Sequence, residues 1–155
     1  MSQASAIAAG KAHTLALAPA GDLAAWGLDA SGQRGDGMAA NDGLTPIALE
    51  PFADALVVAA SGNLSLALDG DAGLWGWGQN FSGQLGLGDT TDRLEATAVA
   101  GLPALRGIAA GLAHTLVIDE DGELWAWGLN SFGQLGKGDK GNDTNSAAPL
   151  KVVVP

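Results

Sequence analysis

The sequence contains no cysteine and no tyrosine, only two histidines, and seven lysines and arginines among 155 residues. Without cysteine there is no disulfide framework and no thiolate chemistry, a usage that suits a reducing compartment and leans toward the cytoplasm without excluding export. The cations Lys11, Arg34, Arg93, Arg106, Lys137, Lys140 and Lys151 are scattered, and 17 acidic residues bring the formal net charge to -10. A nucleic-acid footprint needs clustered cations on a surface that attracts phosphate, so no nucleic-acid partner is expected. No apolar run approaches the roughly 20 residues that cross a bilayer, and none is expected to meet a membrane. Residues 1–7 have no basic segment leading into a long apolar run and do not read as a signal peptide.

What is present is a repeat. Trp26, Trp77 and Trp127 lie 51 and then 50 residues apart, each followed by glycine. Ahead of them stand three aligned stretches, Gly10-Lys11-Ala12-His13-Thr14-Leu15, Ser61-Gly62-Asn63-Leu64-Ser65-Leu66 and Gly111-Leu112-Ala113-His114-Thr115-Leu116. Behind them come Gly32-Gln33-Arg34-Gly35-Asp36-Gly37, Gly83-Gln84-Leu85-Gly86-Leu87-Gly88 and Gly133-Gln134-Leu135-Gly136-Lys137-Gly138. A period near 50 residues with several short strands per copy marks an all-β propeller, each copy one blade. The copies divide the chain into residues 1–50, 51–101 and 102–155, one domain of three blades.

Each blade should hold four antiparallel strands, clearest in the third copy as Arg106 to Ala110, His114 to Asp119, Glu123 to Trp127 and Pro149 to Val154. Small residues end the first strand of each copy, as expected where blades crowd toward an axis. The second strand alternates, as in Leu64-Ser65-Leu66-Ala67-Leu68, and fits between neighbouring blades. Trp26, Trp77 and Trp127 are expected to fill the spaces between blades, each burying on the order of 200 Å². Trp75 and Trp125 fall on the same strand face two residues earlier, where the first copy has Ala24.

Gly-x-x-His-Thr-Leu, then Gly-x-Leu-x-x-Trp-Gly, then Gly-Gln-Leu-Gly-x-Gly-Asp resembles the repeat of the regulator of chromosome condensation family, over roughly residues 6 to 155. The second copy departs from it at Ser61, Gly62 and Leu64, and the first at Arg34 and Asp36. The resemblance implies four-stranded blades around a central channel, typically seven of them, acting as a binding platform. Plant ultraviolet-B photoreceptors of this fold carry Gly-Trp-Arg-His-Thr, but Gly10-Lys11-Ala12-His13-Thr14 and Gly111-Leu112-Ala113-His114-Thr115 lack that tryptophan and arginine. The light-sensing role is therefore not carried over, nor is the chromatin-docked nucleotide exchange on a small GTPase that the name-giving members perform, which needs a full ring and a basic chromatin-contacting surface.

Three blades fall short of the four to eight of closed propellers, and an open wedge exposes apolar faces and strand edges. Completion by oligomerisation is therefore expected. A six-bladed homodimer is favoured, a trimer or a chain supplying the missing blades being the other ways to close the ring.

His13 and His114 occupy one repeat position on separate blades, so they are read as framework residues bonding a backbone carbonyl between strands, not as a catalytic pair. Gly32, Gln33, Gly83, Gln84, Gly133 and Gln134 join the tryptophans as repeat framework. Asp69-Gly70-Asp71 and Asp119-Glu120-Asp121-Gly122-Glu123 contain fragments of a calcium loop, but the full spacing is missing and hairpin turns explain them better. The glycine loops lack the Lys-Ser or Lys-Thr pair and the helix of a phosphate cradle. No catalytic residue, cofactor or metal site is assigned. The expected function is a non-enzymatic scaffold that closes into a ring and binds a protein through the connections Met38 to Thr45, Thr90 to Thr97 and Lys140 to Ala148. The alternatives are an excised or engineered propeller fragment with no partner of its own, and an enzyme or enzyme inhibitor with a site at the channel mouth.

Overall fold

The computed structural model describes residues 3–38 and 42–154. Its strands form three four-stranded antiparallel sheets, each made of consecutive strands. The first sheet holds β1 (Ala6–Ala9), β2 (His13–Leu17), β3 (Asp22–Gly27) and β4 (Gly43–Ala53). The second holds β5 (Val57–Ser61), β6 (Leu64–Leu68), β7 (Leu74–Gly78) and β8 (Arg93–Ala98). The third holds β9 (Leu105–Ala110), β10 (His114–Asp119), β11 (Leu124–Gly128) and β12 (Ser146–Val152). Among the described residues the helical content is a single 3-10 turn at Asn142–Thr144. The outer strands begin earlier than expected: β12 starts at Ser146, because Ser146 pairs with Gly128 at the Trp-Gly end of β11.

The sheets stack face to face as blades, with β1 against β5 and β5 against β9, so the first strand of each copy is the inner one. Register sets what each face carries. Thr14 stands opposite Trp26 and Ala16 opposite Ala24, while Leu15 stands opposite Ala25 and Leu17 opposite Leu23. Because side chains alternate across a strand, Leu15, Leu17, Leu23 and Ala25 point toward the second blade, while Thr14, Ala16, Ala24 and Trp26 point the other way. The same alternation in the other sheets builds two cores. One joins Leu15, Leu17, Leu23 and Leu49 to Ala67 and Trp77, and the other joins Leu64, Leu66, Leu68 and Leu74 to Val117 and Trp127.

Two departures from the repeat have local causes. A Cβ on Gly10 or Gly111 would collide with the ring of His13 or His114. The second blade can carry Ser61 at that position because Leu64 replaces the histidine. The acidic turns are likewise tied to a tryptophan. Asp69 Oδ1 accepts the backbone N–H of Gly73 at 2.8 Å while its Oδ2 accepts Trp75 Nε1–H at 2.7 Å. Asp119 does the same for Glu123 and Trp125, at 2.8 and 3.0 Å. In the first blade Ala18 and Ala24 replace both members of that pair.

Candidate interaction surface and the seams that position it

The seam between neighbouring blades is a repeated hydrogen-bond set buried in an apolar core. At the first seam the backbone carbonyl of Gln33 accepts Trp77 Nε1–H at 3.0 Å and the Ser65 hydroxyl at 2.8 Å, both from the second blade. At the second, Gln84 O accepts Trp127 Nε1–H at 2.9 Å and the Thr115 hydroxyl at 2.7 Å. The glutamine side chain holds its own loop: Oε1 of Gln33, Gln84 and Gln134 accepts the N–H two residues earlier at 2.8, 2.9 and 2.9 Å. The glycine two residues after each seam glutamine lets the indole in. A Cβ on Gly35 would stand 2.8 Å from Trp77 Nε1, and one on Gly86 2.7 Å from Trp127 Nε1. Farther out the loop pairs with the next blade's outer strand, Gly37 N–H reaching Leu94 O at 3.0 Å and Gly88 N–H reaching Ala147 O at 2.8 Å.

His13 completes the first seam. Its Nε2 lies 2.8 Å from Ser65 Oγ, and the Ser65 proton is directed to Gln33 O, so the imidazole donates Nε2–H and Nδ1 is left unprotonated. The partner is thus a hydroxyl on the next blade, in place of the expected backbone carbonyl. Nδ1 is buried without a partner, and burial holds the His13 pKa down at about 4, favouring the neutral ring. A buried Ser–His contact invites comparison with a nucleophile and its base, but here the hydroxyl proton points away from the imidazole and both side chains are shut from solvent.

Gln33 and Arg34 sit in the one loop whose interior is charged. Arg34 and Asp36 form an ion pair at 2.8 Å with side chains only 5% and 9% exposed. Asp29 Oδ1 accepts the Arg34 N–H at 2.9 Å. Burial, with Asp36 adding a smaller like-charge effect, raises the Asp29 pKa. In the other blades this site is an asparagine: Asn80 and Asn130 accept the equivalent N–H of Leu85 and Leu135 and donate from Nδ2 to the Asp89 and Asp139 carbonyls.

The two ends of the stack carry the same groups unmated. On the first blade Trp26 and Thr14 are half-buried, whereas Trp77 and Ser65 at the equivalent seam positions are fully buried. On the third blade His114, Leu116, Leu124 and Gln134 are half-buried and Ile118 is 38% exposed, against 2% for its counterpart Leu68. His114 is also held below the usual histidine range by burial.

Antiparallel connectivity places the β1–β2, β5–β6 and β9–β10 turns on the same rim as the connections that follow β3, β7 and β11, described over residues 28–38, 79–92 and 129–145. The expected binding connections lie only partly in those loops: Gly43 to Thr45, Arg93 to Thr97 and Ser146 to Ala148 belong to the outer strands β4, β8 and β12, and residues 39–41 lie outside the described residues. The rim exposes Phe81 and Phe132, together with Leu112 and Met38. Sequence reasoning looked after each Gly-Gln pair and missed the two phenylalanines, which stand just before it. An aromatic in a turn that the fold does not need is the signal that would have found them.

Three stacked four-stranded blades with open ends define an arc of a β-propeller. The regulator of chromosome condensation (RCC1) repeat matches residues 71–118 and 121–155, and a second model of the same repeat matches 106–134. The chain belongs to this family. It is 37% identical over 113 residues to the ultraviolet-B receptor UVR8 of Arabidopsis thaliana, covering 70% of this chain and 26% of that protein. The crystal structure of human WBSCR16 superposes with a TM-score of 0.85 at 30% identity, covering 97% of this chain and 38% of that one. Prp20p of Saccharomyces cerevisiae gives 0.86 at 22% identity over the same fractions, a likeness of fold. The chain thus spans about a quarter of the plant receptor and 38% of each solved propeller. The family places it among protein-interaction scaffolds.

Proposed function

We propose that the chain is a non-enzymatic scaffold that completes its propeller by self-association and binds a protein through the rim bearing Phe81 and Phe132. The observation that carries the first part is the pair of open ends, which leave seam groups and apolar surface in solvent that the two internal seams bury. Unmated strand faces of this kind favour association. Support for the second part is the exposed aromatic pair on a rim whose framework bonds lie behind it, since aromatics anchor protein interfaces. Prp20p, of the same fold, has binding properties toward Gsp1p and histones, which supports a protein as the class of partner. The non-enzymatic reading draws on the His13–Ser65 pair being committed to the seam.

The test separates framework from rim. Phe81→Ser and Phe132→Ser together are expected to leave the molecular mass in solution and the unfolding midpoint unchanged. Disassembly or a large loss of stability would show that the rim residues belong to the framework, and the binding assignment would be withdrawn.

A further inference from the structure

The two open ends are complementary halves of one seam. The third blade presents the loop side: the accepting Gln134 carbonyl, His114, the donating Gly138 N–H, and the space beside Gly133. At the internal seams the next blade's outer strand fills that space, pressing on Gly32 through Leu94 and on Gly83 through Ala147, whereas the atoms nearest a Cβ on Gly133 come only from its own loop at 3.5 Å or more. The first blade presents the complementary side: the donors Trp26 Nε1–H and the Thr14 hydroxyl, and the accepting carbonyl of Leu44, on a residue 95% exposed. Register fixes the correspondence. Leu94 and Ala147, which accept from Gly37 and Gly88, each follow the residue paired with the Trp-Gly glycine of their blade, as Leu44 follows Gly43.

We infer that the open face of the third blade takes the first blade of a second copy of this chain, through Trp26 and Thr14 on Gln134 O, Thr14 on His114 and Leu44 O on Gly138 N–H. The inference rests on the self-association proposed above and names its contacts. A second copy is the fitting occupant because one chain carries both halves, and because six is the one multiple of three within the four to eight blades of closed propellers. Apart from Lys137, the residues named at this seam are uncharged, and that one cation is opposite in sign to the net charge of each copy. The closing seam differs from the internal ones at Ala24, where Trp75 and Trp125 stand elsewhere. This leaves a hollow of about 640 Å³ bordered by Ala24, Trp26, Ile47 and Phe52, opposite the exposed Ile118 of the partner copy.

The absence of cysteine makes a clean test. Asp36 and Glu95 are bridge partners across the first seam, and directly opposed antiparallel residues lie within the ~4.4–6.8 Å Cα separation that a disulfide spans. Their counterparts at the closing seam are Lys137 and Thr45. Oxidised Lys137→Cys/Thr45→Cys chain is expected to run as a covalent dimer with no free thiol, while Asp36→Cys/Glu95→Cys closes within one chain and serves as the control. Thr14→Val should weaken the dimer of otherwise unmodified chain by at least roughly tenfold at each of the two seams, since the hydroxyl's bonds to Gln134 O and from His114 are both lost. A monomeric mass for unmodified chain would overturn the self-association reading and this inference with it. A stable dimer that forms no Lys137→Cys/Thr45→Cys link and is indifferent to Thr14→Val would overturn the seam assignment alone.

Discussion

The first and second seams and the two open ends are built from one set of residues in two conditions. Where a neighbouring blade is present, Trp77 and Trp127 are fully buried, each sharing a glutamine carbonyl with a Ser or Thr hydroxyl from its own blade. Where it is absent, Trp26, Thr14, Gln134 and His114 keep the same places in their blades and remain partly in water. The difference teaches that the repeat motif encodes a joint between blades more than the blade itself. Gly and Trp recur because each meets the next copy, and Gln recurs because its side chain braces the loop whose carbonyl does.

Substituting across this contrast should separate the two conditions. The largest effect is expected for Trp77→Ala, which empties the centre of a closed seam and should lower unfolding free energy by about 4 kcal/mol. Trp26→Ala should change the stability of dilute, dissociated chain by less than about 1 kcal/mol while abolishing assembly. Chemical denaturation at two protein concentrations checks both, and equal intrinsic losses would dissolve the distinction.

The charged loop of the first blade gives the next largest effect. Arg34→Leu strands the buried Asp36 beside Asp29 and should cost about 3 kcal/mol. Adding Asp36→Leu and Asp29→Asn, which copies Leu85, Leu87 and Asn80 of the second blade, should recover most of it. Failure of the triple variant to recover would mean that the ion pair is required by something other than the loop.

The smallest effect is one of pH. The folded His13 pKa of about 4 lies below its ordinary 6.5, so unfolded chain takes up the proton first and stability falls as pH drops below 6.5. Between pH 7.5 and 5.5 the loss due to His13 should be about 1.4 kcal/mol. His13→Leu, the residue used at position 64, should remove that loss and leave the part due to His114, whose pKa burial also lowers, and an unchanged profile would place the titration elsewhere.

Much of this was legible in the chain because the repeat is physical. The spacing of Trp26, Trp77 and Trp127 gave the blade period, and strand alternation gave the face on which each indole lies. What the sequence could not show was pairing between copies. That His13 would find a serine hydroxyl, and that Gln33 would serve through its backbone while its side chain merely braces the loop, depends on a register between sheets that no single strand encodes. The linked changes, Gly10 with His13 against Ser61 with Leu64 and Asp69 with Trp75 against Ala18 with Ala24, were visible as differences and became interpretable only as contacts. The outer strands were placed late because β4, β8 and β12 shift register beside the Trp-Gly glycine, where alternation breaks.

The central claim is that open ends with complementary groups do not remain open in solution. Absolute mass by light scattering over a dilution series tests it most directly. Twice the chain mass, held on dilution to the micromolar range, is the predicted result, whereas a folded monomer at every concentration would contradict it.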